Sequence, residues 1–260
     1  MDITIVLPVS RQHFLRQVFT NLEFLECDPE HTHLLVYVDG DQKLYEAARN
    51  YTVMSRFAQR LCLYRAKGLT NASSITRRRQ RIADIHNELK TIIKPCDGIF
   101  MIEDDTLFPY NTLTKLVKNY SLYPYAGFIS AAELGRWGIE YIGGWRVNDP
   151  YNITEIKSIP NGNELVQVDA AGFYCQLTPY KNYMLHNFKP FENLLGPDFD
   201  YGAELRRAGY KNYLDLSIKC RHLTQTEEIT FMNKEIVELT FTKKDNKWSQ
   251  SIHYNKQISI

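Results

Sequence analysis

Four short apolar runs, Ile3-Thr4-Ile5-Val6-Leu7, Leu34-Leu35-Val36-Tyr37-Val38, Leu61-Cys62-Leu63-Tyr64 and Gly98-Ile99-Phe100-Met101-Ile102, alternate with stretches of helical apolar spacing. This alternation restricts the chain more than any other feature. Runs of that length without polar alternation suit strands covered on both faces, as in a parallel sheet whose crossovers are helices. Pro8 ends the first run, and Ser10 stands at an N-cap position before Val18, Leu22 and Leu25. The second run ends in Asp39-Gly40-Asp41, ahead of a helical stretch over about 44–57. A loop containing Gly, Asn and Ser follows the third and leads to a helix over about 74–93, with Ile82, Ile85, Leu89 and Ile92 on its inward face. The fourth run passes directly into Glu103-Asp104-Asp105. Doubly wound sheets bind ligands at the carboxyl ends of their strands, and that edge is where the three acids fall.

After a further helix over about 110–120 the pattern changes. Residues 127–172 are rich in Gly and aromatic residues and read as strands and long loops. Helical pattern returns over 198–208, closed by Gly209, and a strand over 213–218 precedes His222. The polar segment 224–260 reads as a small β-like C-terminal appendage to a domain spanning 1–223. A formal net charge of +1 argues against nucleic-acid binding through a strong overall positive field, although Arg77-Arg78-Arg79-Gln80-Arg81 forms a local basic patch. Five scattered cysteines with no CxxC pair, and no secretory leader, predict a reducing, cytoplasmic setting. No segment approaches the roughly 20 apolar residues of a membrane helix, so no integral membrane segment is expected.

An acidic triplet delivered by a buried strand suits a hard divalent cation, which takes one or two carboxylates and fills its remaining positions with phosphate oxygens and water. An exposed acidic loop is the plainer alternative. The arginine run opens its helix, where cations oppose the helix dipole, so an anionic partner is implied; Arg78 falls on the inward stripe four residues before Ile82. Asp198 can be a helix N-cap, a general base, or both. A neutral His222 imidazole could complete a metal site. Trp137, Tyr141 and Trp145, set among glycines, are either core or stacking faces for a sugar or base.

Taken in order, Ile3 to Pro8, Val38-Asp39-Gly40 and Phe100-Met101-Ile102-Glu103-Asp104-Asp105 resemble the successive signatures of GT-A glycosyltransferases, particularly glycosyltransferase family 2. The resemblance spans roughly 3–223 and implies an α/β, GT-A type (Rossmann-like) fold, a mixed, mainly parallel sheet flanked by helices. Its donor half would cover about 1–125 and its acceptor half about 126–223. By the same resemblance Asp105 is the metal ligand and Glu103 replaces the usual first Asp, facing the donor or metal with Asp104 beside it. Asp39 would contact the donor base, Pro8, Val9 and Ser10 would line the nucleotide pocket, and Arg78 would point toward it. Gly196-Pro197-Asp198-Phe199-Asp200-Tyr201 looks like the family's acidic-pair segment, placing Asp198 as the inverting base with Asp200 as its competitor; Pro197 stands where the family often has Glu. His222 matches the downstream histidine that often joins the metal, and Asp169-Ala170-Ala171-Gly172 resembles the segment lining the acceptor entrance, so Asp169 would bind the acceptor, with Trp137 and Trp145 as the acceptor-side stacking candidates.

The activity implied is an inverting, Mn2+- or Mg2+-dependent transfer of a hexose, with glucose expected, from a nucleoside diphosphate sugar, with UDP expected, to an acceptor hydroxyl on a glycan or a hydroxymethylated DNA base. A degenerate GT-A domain that binds carbohydrate or nucleic acid without turnover is the non-enzymatic alternative. A sugar nucleotidyltransferase is disfavoured, because Pro8-Val9-Ser10-Arg11 lacks the Gly-rich, lysine-bearing loop that such enzymes place after the first strand.

Overall fold

The computed structural model describes residues 1–65, 75–134, 143–149, 152–155, 165–190, 196–223, 236–244 and 247–254. In chain order the first half contains β1 (Ile3–Val9), α1 (Leu15–Glu23), β2 (Thr32–Asp39), α2 (Gln42–Met54), β3 (Gln59–Arg65), α3 (Ile75–Lys90) and β4 (Gly98–Ile102). These are the alternating elements that the apolar runs predict. The next are β5 (Thr106–Leu107), α4 (Thr112–Leu122), β6 (Ala126–Leu134), β7 (Gly144–Asp149), β8 (Asn152–Glu155), β9 (Leu165–Val168), β10 (Ala170–Ala171) and β11 (Cys175–Pro179). The chain continues with α5 (Tyr180–Tyr183), α6 (Pro197–Arg207) and β12 (Lys211–His222). Last come β13 (Ile236–Lys244) and β14 (Lys247–Tyr254), paired antiparallel with each other.

The main sheet runs β3-β2-β1-β4-β11-β6-β12-β5, with β9 also on β12. Its first four strands are parallel, β11 is antiparallel to both neighbours, and β6 and β12 are again parallel. The sheet is therefore mixed and mainly parallel. Strand order reverses between β1 and β4: β2 and β3 extend to one side of β1, and β4 returns on the other. A crevice opens at such a reversal, outside the carboxyl ends of the two central strands.

Alternate residues of the central strands enter two cores. Ile3, Ile5, Leu7 and Val9 join Leu34, Val36, Phe100 and Ile102 beneath α1, α2 and α4. Val6, Leu35, Tyr37, Ile99 and Met101 face the opposite layer, with Ala83, Ile85 and Leu89 of α3 and Tyr201 and Leu205 of α6. Burial on both faces explains why these strands read as continuous apolar runs.

Several boundaries differ from the sequence reading for local reasons. Helix α2 runs from Gln42 to Met54 instead of about 44–57, because Asp41 caps it, its side chain accepting from Leu44 N at 2.8 Å. Ser10 is not an N-cap; α1 starts only at Leu15, because the Ser10 backbone and hydroxyl are committed elsewhere. The strand before His222 is twelve residues long rather than six and carries His222 itself. Ile82 is 42% exposed, and the inward face of α3 is formed by Ala83, Ile85, His86 and Leu89. Among the described residues no helix is long and apolar enough to cross a membrane.

Helix α6 docks closely on the backbone preceding it. Asn212 Nδ2 donates to the carbonyls of both Asp169 and Gly202 at 3.0 Å, and a Cβ on Gly202 would be driven into the Asp169 carbonyl oxygen. Gly202→Ala should therefore lower stability by about 1–3 kcal/mol through overpacking, despite the ~1 kcal/mol that alanine adds to a free helix. Chemical denaturation compared with wild type checks this, and a variant more stable than wild type would refute the close docking.

Candidate metal and donor site

The carboxyl ends of β1 and β4 are joined by one buried carboxylate. Asp104 Oδ2 accepts from the backbone N–H of Ser10 at 2.6 Å and of Arg11 at 2.8 Å, and from the Ser10 hydroxyl at 3.3 Å. Its Oδ1 accepts from Arg11 Nε at 2.8 Å and also from Nη2, while Arg11 Nη1 bonds Asp105 Oδ2. Burial weighs against a charged guanidinium, but the adjacent Asp104 and Asp105 outweigh it and raise Arg11 above its ordinary value. The role of Asp104 is thus visible: it ties the β1 loop, with Val9 buried in the core below it, to the triplet.

Glu103 turns the other way, and Asp105, with Oδ2 on Arg11, directs its Oδ1 to that side as well. A tight turn, Thr106 N to Glu103 O at 3.2 Å, redirects the chain into β5, which pairs antiparallel with the end of β12 so that His222 lies opposite Thr106. Leu223 N donates to Asp105 O at 2.6 Å. His222 Nε2 consequently stands 3.0 Å from Glu103 Oε2 and 3.7 Å from Asp105 Oδ1. One ligand atom from each of Glu103, Asp105 and His222 lies within 4.8 Å of the others. Two carboxylate oxygens and an imidazole nitrogen at that spacing fit a divalent first-row cation, for which this donor set is suited. Burial disfavours the imidazolium, yet Glu133, Glu103 and Asp105 together raise His222 to about 10. The pocket favours positive charge at this point.

Asp198 sits in the first turn of α6, after Pro197 at the position where a missing N–H costs nothing. Loss of hydration, followed by repulsion from Glu103, pushes it up to about 7; backbone N–H groups and Arg79 oppose that shift. The charge of Glu103 is therefore felt at Asp198. Asp200 is raised to about 6, again mainly by burial, but its charged neighbours are Lys189, Glu204 and Arg207. The two acids of this segment face different surroundings.

Asp39 is buried and paired with Arg81 Nε, and Arg81 Nη2 donates to the Asp39 carbonyl at 3.0 Å. The arginine that reaches the end of β2 is Arg81. Arg78 is exposed, contrary to the inward orientation read from spacing, because the buried face of α3 is rotated away from Ile82. Pro8 is half-buried beside Tyr37 of β2. Asp169 is buried and paired with Arg206 at 3.0 Å. Trp145 is buried against Phe199, ring centroids 4.5 Å apart, which matches the core reading of that aromatic and not an open stacking face. Trp137 and Tyr141 lie outside the described residues. Sequence reading passed over Arg11 and Glu133, and within the arginine run it singled out Arg78 where Arg81 meets the anionic partner. Glu133 carried the same signal as the triplet, an acid ending a buried run, Phe128-Ile129-Ser130-Ala131-Ala132-Glu133.

No family sequence profile matches the chain, and no curated protein does. Its fold is shared with solved structures. The mannosyltransferase PcManGT from Pyrobaculum calidifontis, in complex with GDP-Man and Mn2+, aligns at 11% identity over 87% of this chain and 58% of its own, TM-score 0.60. GalNAc-T7 with UDP, GalNAc and Mn2+ aligns at 11% identity over 87% and 44%, TM-score 0.63. A197 from STIV aligns at 11% identity over 100% and 97%, TM-score 0.50. This chain thus spans 58% and 44% of the length of the first two. The likeness shows that the fold is of the GT-A type.

Two measurements follow from this geometry. Asp104→Ala should cost about 1.5–3 kcal/mol, the range for losing hydrogen bonds to a charged group, and wild-type stability in denaturation would contradict its tying role. In metal-free protein, the Asp198 carboxyl should titrate near 7. Glu103→Gln should lower that value, since a negative neighbour is removed. Carbon-13 NMR reads both, with Asp198→Asn assigning the signal.

Proposed function

We propose that the chain is a metal-dependent glycosyltransferase that moves a hexose from a nucleoside diphosphate sugar to an acceptor hydroxyl with inversion. The observation that carries this reading is the meeting of Glu103, Asp105 and His222 beside Asp198 at the strand-order reversal of a GT-A type sheet. Mn2+ present with nucleotide sugars or nucleotides in the complexes of PcManGT and GalNAc-T7 supports the same assignment. Asp105 and His222, with Glu103, would hold the cation, which when bound neutralises charge on the donor diphosphate.

The chain's own residues supply the rest. Arg11, already fixed against Asp104 and Asp105, adds a guanidinium at the β1 loop, where the bidentate fork suits phosphate oxygens. Ser10 and Pro8 border the nucleotide side. Asp39, oriented by Arg81, accepts a hydrogen bond from a donor base that has an imide N–H, as uracil does, which favours UDP. Asp198 acts as the base: its carboxylate takes the proton of the acceptor hydroxyl as that oxygen attacks the anomeric carbon and the bond to the diphosphate breaks. The nucleoside diphosphate leaves on the opposite face. A carboxylate held near 7 is matched to proton transfer at neutral pH. Asp198 is preferred to Asp200 because only Asp198 has Glu103 among its charged neighbours.

The test is a panel of nucleotide sugars with Mn2+, Mg2+ or EDTA, scored for hydrolysis and transfer. Activity should vanish on chelation and return with Mn2+, and Asp105→Ala should remove it. Asp198→Asn should keep donor binding while transfer falls by about 10²–10⁴-fold, the range for loss of a general base. Turnover that survives both EDTA and Asp105→Ala would sink the reading.

A further inference from the structure

Glu133, the penultimate residue of β6, is 3% exposed, and its Oε2 is ion-paired with Nδ1 of His222. It reaches that nitrogen because β6 and β12 are parallel neighbours with Glu133 opposite Cys220, so Glu133 and His222 lie on the same face of the sheet. The irregular stretch of β12 between Asp215 and Lys219 resets the register and brings this about. Every side of the imidazole is engaged. Nδ1 meets Glu133, Nε2 faces Glu103 and Asp105, and the Tyr174 ring stands edge-on at 5.4 Å. Tyr174 is itself pinned, its hydroxyl donating to the Ala131 carbonyl at 2.6 Å. Gly143, at φ +76°, closes the wall behind Glu133; a Cβ there would strike the Tyr174 hydroxyl and the Glu133 Cγ.

A carboxylate is expensive to bury, and one placed against a nitrogen edge has a specific effect on that ring. A neutral imidazole has one N–H and one lone pair. With a carboxylate held against Nδ1, the single proton of a neutral ring is favoured on Nδ1, which leaves the Nε2 lone pair directed at the oxygens of Glu103 and Asp105. A lone pair facing two carboxylate oxygens is unfavourable unless a proton or a metal cation lies between them, and a divalent cation would take the place of that proton. We infer that Glu133 is a positioning residue that fixes the tautomer and ring orientation of His222, so that Nε2 is presented to a divalent cation held with Glu103 and Asp105. The inference rests on the metal-site reading proposed above and adds to it a residue that touches neither donor nor metal. A purely structural role for Glu133, as a buried partner of an imidazolium that never binds metal, makes a different prediction.

The experiment is Mn2+ titration of the purified full chain without donor, read by the loss of the free-ion EPR signal, for wild type, Glu133→Gln, His222→Ala and the double variant. Gln fills the same volume, and circular dichroism checks that each variant is folded. Glu133→Gln should weaken Mn2+ binding about 10–100-fold, the usual cost of losing a partner behind a ligating histidine. The double variant should bind no more weakly than His222→Ala, because Glu133 acts only through the imidazole. Glu133→Asp, which keeps the charge but withdraws it, should fall between wild type and Glu133→Gln, and it replaces Glu133→Gln in the cycle if that variant does not fold. Wild-type affinity in the Glu133 variant, or additive losses in the double variant, would overturn the inference while leaving the metal site intact. A wild-type chain that binds no Mn2+ would overturn the metal-site reading itself and this inference with it.

Discussion

The site depends on how the chain crosses from β1 to β4. Parallel neighbours at a strand-order reversal leave two loop ends side by side with nothing in the sheet ladder to hold them, and Asp104 supplies that hold. A carboxylate accepting two backbone N–H groups and a guanidinium is a strong, directional anchor in a low-dielectric setting. Asp104 is committed to the β1 loop, Glu103 faces the end of β12, and Asp105 stands between them, with Oδ2 on Arg11 and Oδ1 toward His222. Three adjacent acids thereby take two different tasks: one closes the crevice floor and two line it.

Closing that floor creates an electrostatic problem that the rest of the second half answers. Glu103 and Asp105 are met on one side by Arg11 and on the other by His222, and His222 is backed by Glu133. The imidazole can be delivered there only because β12 is long and irregular. A regular pairing with β6 would carry the strand past the triplet in a different register, whereas the shift after Asp215 lets Arg221 and His222 pair with β5. Asp215 steadies that shift by accepting from Ser217 N at 2.8 Å and from Asn119 of α4. Bulges next to sites re-aim side chains in this way.

The fold was largely legible in the sequence because its signals are local. Four apolar runs buried on both faces and the helices between them announce a doubly wound sheet, and an acid directly after such a run announces its ligand edge. Orientation on helices was less legible. Arg78 follows the period that starts at Ile82, but Ile82 is exposed and the face toward the sheet is set by Ala83, Ile85 and His86, so Arg81 is the residue that reaches Asp39. Ser10 looked like a cap because its chemistry suits one, and the same hydroxyl and N–H serve Asp104 instead. The pairing of Glu133 with His222 joins residues 89 positions apart through strand register, which no local pattern encodes. The parallel case within reach was the acid at the end of the β6 run, since the rule that marked Glu103 applies equally to Glu133.

Glu103 is the member that joins the two chemical tasks of the site. It faces the His222 imidazole at 3.0 Å, and it is the largest charge contribution to the raised Asp198, after burial. Charge placed beside Glu103 is therefore felt on α6: positive charge there offsets the repulsion and lowers Asp198, and its removal lets Asp198 hold its proton more tightly. Such coupling has value only if the distance between the two acids is fixed. That is the effect of the close approach at Gly202 and of Asn212 bridging the Asp169 and Gly202 carbonyls, which seat α6 on backbone instead of on flexible side chains. The glycine that lets the helix approach and the asparagine that locks it there thus belong to the electrostatics of the site as much as to its packing.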